Sequence, residues 1–190
     1  MKKIIKAVLL GAALTFTLFI TAGSAKAAAN PVVPSPVVSS NTVSKPINWR
    51  KPSENKPYPV WSKLKNPWIY VSLKKQNVYI YGNGKVQYTM ICSTGAKNTP
   101  TPKGTYHIQA QRGTYFYSPL EREGGRYWVS WLDHGVYLFH TVPINAKGQY
   151  IKSVAEELGK PASHGCVHLT VADSYWMYKT VPYGLKVVIR

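Results

Sequence analysis

Apolar positions along this chain fall into three regimes. From Ala7 to Ile20 they run almost unbroken behind Lys2, Lys3 and Lys6, and from Asn30 to Pro67 they show no period. From Trp68 onward they recur at the two-residue spacing of half-buried strands. Trp68–Leu73 and Asn77–Tyr81 read as antiparallel strands, with Gly82-Asn83-Gly84-Lys85 turning into a third over Val86–Ser93. After the Pro/Gly turn Thr99–Gly104, Thr105–Gln109 alternates, and Trp128–Trp131 and Val136–Phe139 supply two more strands. Helical signals are two. Ser153-Val154-Ala155-Glu156 has capping-box spacing and ends near Gly159; Thr170-Val171-Ala172-Asp173 precedes Tyr175, Trp176 and Lys179, with Pro182 as the stop. Leu185–Ile189 closes the chain as an apolar strand. The pattern predicts a mostly β domain over 68–190, a sandwich or partly open barrel with one or two short helices.

The first regime has a charged start, a short apolar middle and a small-residue end, Ala25-Lys26-Ala27-Ala28-Ala29. It predicts a secretory signal peptide over 1–27, hence a secreted protein with no stable membrane span after cleavage; an uncleaved anchor is the alternative. Residues 28–67, rich in Pro, Ser, Asn and Lys, read as a linker. Trp49, Tyr58 and Trp61 in its second half predict that the segment from about Ile47 docks, on the domain or on a wall ligand. The net charge is +17, and losing Lys2, Lys3, Lys6 and Lys26 leaves +13. Such a balance points to an anionic partner, and outside a cell to wall polymers or lipid headgroups. No helix-turn-helix, zinc-finger spacing or long Lys/Arg block argues for nucleic acid. No Cys/His cluster has metal-ligand spacing, so neither metal nor organic cofactor is implied.

The chemistry concentrates in Ser163-His164-Gly165-Cys166-Val167-His168. A thiol behind a glycine lets a carbonyl approach the backbone, where the amides of Gly165 and Cys166 are candidate oxyanion donors. Cys166 as a buried small hydrophobe is the competing reading. A nucleophilic thiol needs a base. His107 lies mid-strand and His134 in an Asp-His-Gly turn, whereas His140 ends the apolar run Val136–Phe139, where a sheet would hold its ring. Cys92, in Thr89-Met90-Ile91-Cys92, is expected buried and free, since a bridge to Cys166 would remove the nucleophile. Arg112–Gly135, rich in Gly, Tyr and Trp, is expected either to form a flap over the thiol or to be an ordinary hairpin excursion.

These residues together resemble the L,D-transpeptidase catalytic domain, also called the YkuD-like domain. Carrying the resemblance are Ser163–Val167 after a strand ending in His140, the hairpin Val71–Ile80, Ser93-Thr94-Gly95 with Pro100–Gly104, and the closing Tyr183-Gly184 with Val187–Ile189. It implies a secreted cysteine enzyme acting on peptidoglycan stem peptides, with Cys166 forming a thioacyl intermediate and His140 as base. It also implies that His140 is oriented by a backbone carbonyl such as that of Thr141, and that Ser163, His164 and Gly165 shape the oxyanion and substrate site. His168 stands where the family commonly has Arg or Asn, which bears on substrate preference. Two other classes are weighed. A sortase-like transpeptidase relies on a later Arg, and only the terminal Arg190 follows Cys166; a non-catalytic wall-binding module accounts for the charge but not for the Gly-Cys site.

Overall fold

The computed structural model describes residues 47–190. The expected signal peptide and the start of the expected linker lie outside them. Among the described residues nine strands form one sheet: β1 (Trp68–Ser72), β2 (Asn77–Gly82), β3 (Lys85–Ser93), β4 (Gly104–His107), β5 (Arg112–Ser118), β6 (Glu123–Leu132), β7 (Tyr137–Thr141), β8 (Val167–Leu169) and β9 (Lys186–Ile189). Their order is β4-β9-β1-β2-β3-β8-β7-β6-β5. Pairing is antiparallel except at β1–β9 and β7–β8. The sheet curls on itself: just past β4, Gln109 N donates to Ser130 O on β6 at 2.8 Å, and Ser130 N donates to Gln111 O at 2.9 Å. This is the partly open barrel, mostly β, that the alternation predicts.

Alternation sorts the faces. Ile69, Val71, Val78, Ile80, Met90, Cys92, Phe139, Val167, Leu169, Val187 and Ile189 point into one core, joined by Met177 of helix α2 (Val171–Thr180). Cys92 is fully buried and free. Helix α2 starts where its signal lies: the Thr170 hydroxyl accepts from Asp173 N at 3.0 Å. It ends at Val181, held extended by the following Pro182.

One expectation needs correction, and parts of the sheet lay outside the predicted strands. The capping box does not cap: α1 (Lys152–Ala155) has Ile151 at its N-cap and no side-chain bond there, so Ser153 is inside the helix. The segment 112–135 is a strand pair, β5 with β6, of which the alternation revealed only Trp128–Trp131. A positive φ of 54° at Tyr127 breaks the two-residue period of β6 there. Strand β8 went unseen because it is three residues long and adjoins the reactive turn.

Residues 47–67 have the composition of a linker but are packed. Trp49 is buried with Val142, Ala155 and Leu158, and Trp61 is buried while its indole donates to Thr180 Oγ1 at 3.0 Å. The buried Asp173 carboxylate accepts from the Ser53 hydroxyl, from Ser53 N at 3.3 Å and from the Tyr58 hydroxyl at 2.7 Å. Burial pushes Asp173 up from the usual carboxylate range, and the Ser53 and Tyr58 hydrogen bonds hold it back.

Candidate active site

Strands β7 and β8 run parallel with His140 opposite His168 and Phe139 opposite Val167. Since Phe139, Val167 and Leu169 face the core, His140 and His168 face the other side of the sheet, and Cys166 shares their parity. One cavity of about 310 Å³ is lined by Cys166, His140, His168 and His164, together with Phe116, Ser118, Glu121 and Glu123 of the β5–β6 hairpin. The hairpin therefore walls the thiol, so the two readings of 112–135 merge: it is a hairpin, and it covers the site.

The turn carrying Cys166 is tied from within and from behind. Ser163 Oγ accepts from Gly165 N at 3.1 Å and donates to Cys166 O at 2.6 Å. The Ser163 carbonyl accepts from Ala96 N at 2.9 Å and from Thr99 Oγ1 at 2.8 Å, docking the turn on the Gly/Pro stretch. Gly165 has φ of 114°, a conformation side chains disfavour, and a Cβ there would meet the Tyr137 ring at 2.9 Å. The Gly165 amide is spent on Ser163, which corrects its expected part as an oxyanion donor. The Cys166 thiol faces the Val136 carbonyl at 3.6 Å. Part of its surface stays accessible, and burial of the rest pushes the thiol up to about 11, with the Leu138 amide opposing.

His140 is buried edge-on against Phe116, ring centroids 5.0 Å apart, and against His168 at 4.7 Å. Its ring fits because position 125 is glycine: a Cβ at Gly125 would lie 2.3 Å from His140 Nδ1. Burial lowers His140 to about 4, and the Thr141 backbone partly offsets this. That backbone does not complete a hydrogen bond, for Nδ1 is buried without a partner among the described residues. The Thr141 hydroxyl is engaged elsewhere, accepting from Arg126 N at 3.1 Å and donating to Val142 O at 2.9 Å. His168 is also held neutral, by burial and then by its His140 and His164 neighbours.

His164 lines the same cavity as Cys166. Its Nε2 lies 3.2 Å from Glu121 and its Nδ1 3.5 Å from Glu123, so it fastens the reactive turn to the hairpin. His107 and His134 are exposed and line no part of this cavity. Sequence reasoning missed Phe116, Glu121, Glu123 and Gly125. A signal existed for the glutamates: they flank Arg122 in a chain with only seven acidic residues.

Comparisons with known proteins agree with this geometry. The YkuD family, described as the L,D-transpeptidase catalytic domain, matches residues 66–189. The candidate L,D-transpeptidase YciB of Bacillus subtilis (strain 168) is 44% identical over 151 residues, covering 78% of this chain and 77% of that protein. L,D-transpeptidase 1 of Mycobacterium tuberculosis is 27% identical over 124 residues, 60% of this chain and 46% of its own length. Among solved structures, an L,D-transpeptidase from Mycobacterium smegmatis has TM-score 0.54 at 20% identity, over 66% of this chain and 58% of that one. The L,D-transpeptidase LdtMt1 in complex with imipenem has TM-score 0.54 at 19% identity, over 66% and 59%. These two share the fold, and this chain spans just under three fifths of each. With a parallel strand pair presenting a thiol and an imidazole to one walled cavity, the chain belongs to the YkuD family of L,D-transpeptidase catalytic domains, which are enzymes acting on peptidoglycan.

Proposed function

We propose that the domain works outside the cell as a cysteine transpeptidase on peptidoglycan stem peptides, with Cys166 as nucleophile and His140 as base. One observation carries the reading: the parallel β7–β8 pair brings a partly accessible thiol and a buried imidazole to the same cavity. Cys166 Sγ attacks the carbonyl carbon of the L-centre while its proton passes to His140. The tetrahedral oxyanion takes the Cys166 amide, since the Gly165 amide is already bonded. The C–N bond then breaks, His140 returns the proton to the departing D-amino acid, and a thioester remains. An acceptor amine attacks the thioester, and the thiol regains its proton. The Ala-x-Ala leader and basic charge support secretion to the wall.

A carbapenem tests this, because its strained ring acylates sulfur by the same attack, and a relative has been solved with imipenem. Imipenem is expected to add once, with peptide mapping placing the adduct on Cys166. Cys92 is buried, and burial drives its thiol further from ionisation. An adduct on Cys92 alone, or none on folded protein, overturns the assignment.

A further inference from the structure

The cavity beside the thiol is acidic in a basic chain. Two of the seven acidic residues, Glu121 and Glu123, line it, and no Lys or Arg among the described residues does. Arg122, between them in the chain, is exposed and stays outside the lining. After burial, the Glu121 carboxylate is the group that pushes the Cys166 thiol up, so its charge is felt at the sulfur. A negative charge there opposes ionisation of the nucleophile. The pair therefore does not serve the attack that loads the thiol.

Hydrogen-bond donors are scarce in this corner. His164 Nε2 lies 3.2 Å from Glu121 and Nδ1 3.5 Å from Glu123, and a neutral imidazole carries one ring hydrogen. One carboxylate accepts it, and the other faces a lone pair. Burial raises Glu123 above the usual carboxylate range, His164 opposes, and Glu121 adds to the rise. His168 is buried, lines the same cavity and makes no hydrogen bond through its ring among the described residues. What these groups lack is a compact cation with several N–H bonds. A primary ammonium supplies three donors and one positive charge.

We infer that Glu121, Glu123 and His164, together with His168, bind the ammonium of the incoming acceptor peptide and so direct the thioester to that amine rather than to water. The inference rests on the transpeptidase reading above. The second half-reaction needs an amine nitrogen at the thioester carbon, and at neutral pH an alkyl amine arrives protonated. Water carries no charge for the carboxylates to hold, so the cluster raises the local concentration of one nucleophile only. Before attack the ammonium sheds one proton to solvent. The amine nitrogen then bonds to the thioester carbon, the C–S bond breaks, and a second nitrogen proton reaches the sulfur by way of His140.

The test uses the full chain, already acylated by a stem-peptide donor so that donor affinity does not enter. Mass spectrometry follows loss of the thioester to a stem-peptide acceptor with a free side-chain amine and to hydroxylamine, which is uncharged at neutral pH. In Glu121→Gln/Glu123→Gln the preference for the peptide amine over hydroxylamine, taken at low concentrations of each, should fall about tenfold. Hydrolysed product should grow at the expense of cross-linked product. An equal change for both nucleophiles means only a loosened hairpin, and either that or no change overturns the inference. So does a His164 ring carrying both hydrogens at neutral pH in nitrogen-15 spectra, since it would satisfy both carboxylates from within. If no thioester forms, the catalytic reading fails, and titration of the acceptor amine into Cys166→Ala decides. Shifts of the Glu121, Glu123, His164 and His168 resonances that vanish with the two Gln substitutions uphold the ammonium site, and their absence removes it.

Discussion

His140 and Cys166 are both stored uncharged: burial lowers the imidazole to about 4 and raises the thiol to about 11. At neutral pH the proton therefore moves during attack, rather than before it as in a preformed ion pair. Acylation by imipenem should stay level from neutral pH down to about 5, then fall as His140 protonates near 4. A midpoint close to 6.5 in a stopped-flow pH series would mean that the ring is solvated. The same shift has a stability consequence. Below 6.5 the unfolded chain binds a proton that folded His140 refuses, so stability falls as pH drops from 6.5 to about 4, by roughly 3 kcal/mol. Urea midpoints across that window should show the loss, and His140→Gln should lessen it, leaving the part that the buried His168 contributes. Gly125→Ala tests the ring's seat: its Cβ would collide with Nδ1, and acylation should slow on the order of 10²-fold. Unchanged acylation would mean that the ring tolerates displacement.

At the scale of elements, the β5–β6 hairpin and the 163–166 turn belong together. The turn is rigid because Ser163 bonds both Gly165 and Cys166, whereas its link to the hairpin is the partly exposed His164–Glu121 and His164–Glu123 contact. Such contacts contribute up to about 1 kcal/mol, which corresponds to about fivefold in affinity. Glu121→Gln/Glu123→Gln should raise the KM for the stem-peptide donor by that factor while kcat holds, and should speed hydrogen exchange in the hairpin. Equal loss of kcat would place these carboxylates in the chemistry instead.

For the whole molecule, residues 47–67 act as a strap. Trp49 sits among Val142, Ala155 and Leu158 beside the stretch leading to the reactive turn, and its carbonyl accepts from Val171 N at 2.9 Å, joining strap to α2. Trp49→Ala should cost about 3–5 kcal/mol in denaturant unfolding. A loss below 1 kcal/mol would mean that the strap is dispensable. Net charge acts at this scale too: binding to isolated anionic wall material should weaken as salt rises, because the attraction is screened. Binding indifferent to salt would assign the contact to uncharged groups instead.

Sequence by itself determined what depends on neighbours along the chain. Two-residue alternation made the inner face of β1, β2 and β3 legible, Thr170 and Pro182 bracketed α2, and the Gly-Cys turn kept its chemical identity whatever the fold around it. Tertiary structure decided what depends on which strands meet. That His168 lies against His140 follows from a parallel pairing between residues 28 positions apart, and no local pattern encodes a parallel neighbour. The place of Glu121 and Glu123 at the thiol follows from a hairpin whose period is broken at Tyr127. The charge state of His140 lay furthest from reach, because a pKa is set by desolvation. That depends on Phe116, Gly125 and His168 closing around the ring from three strands.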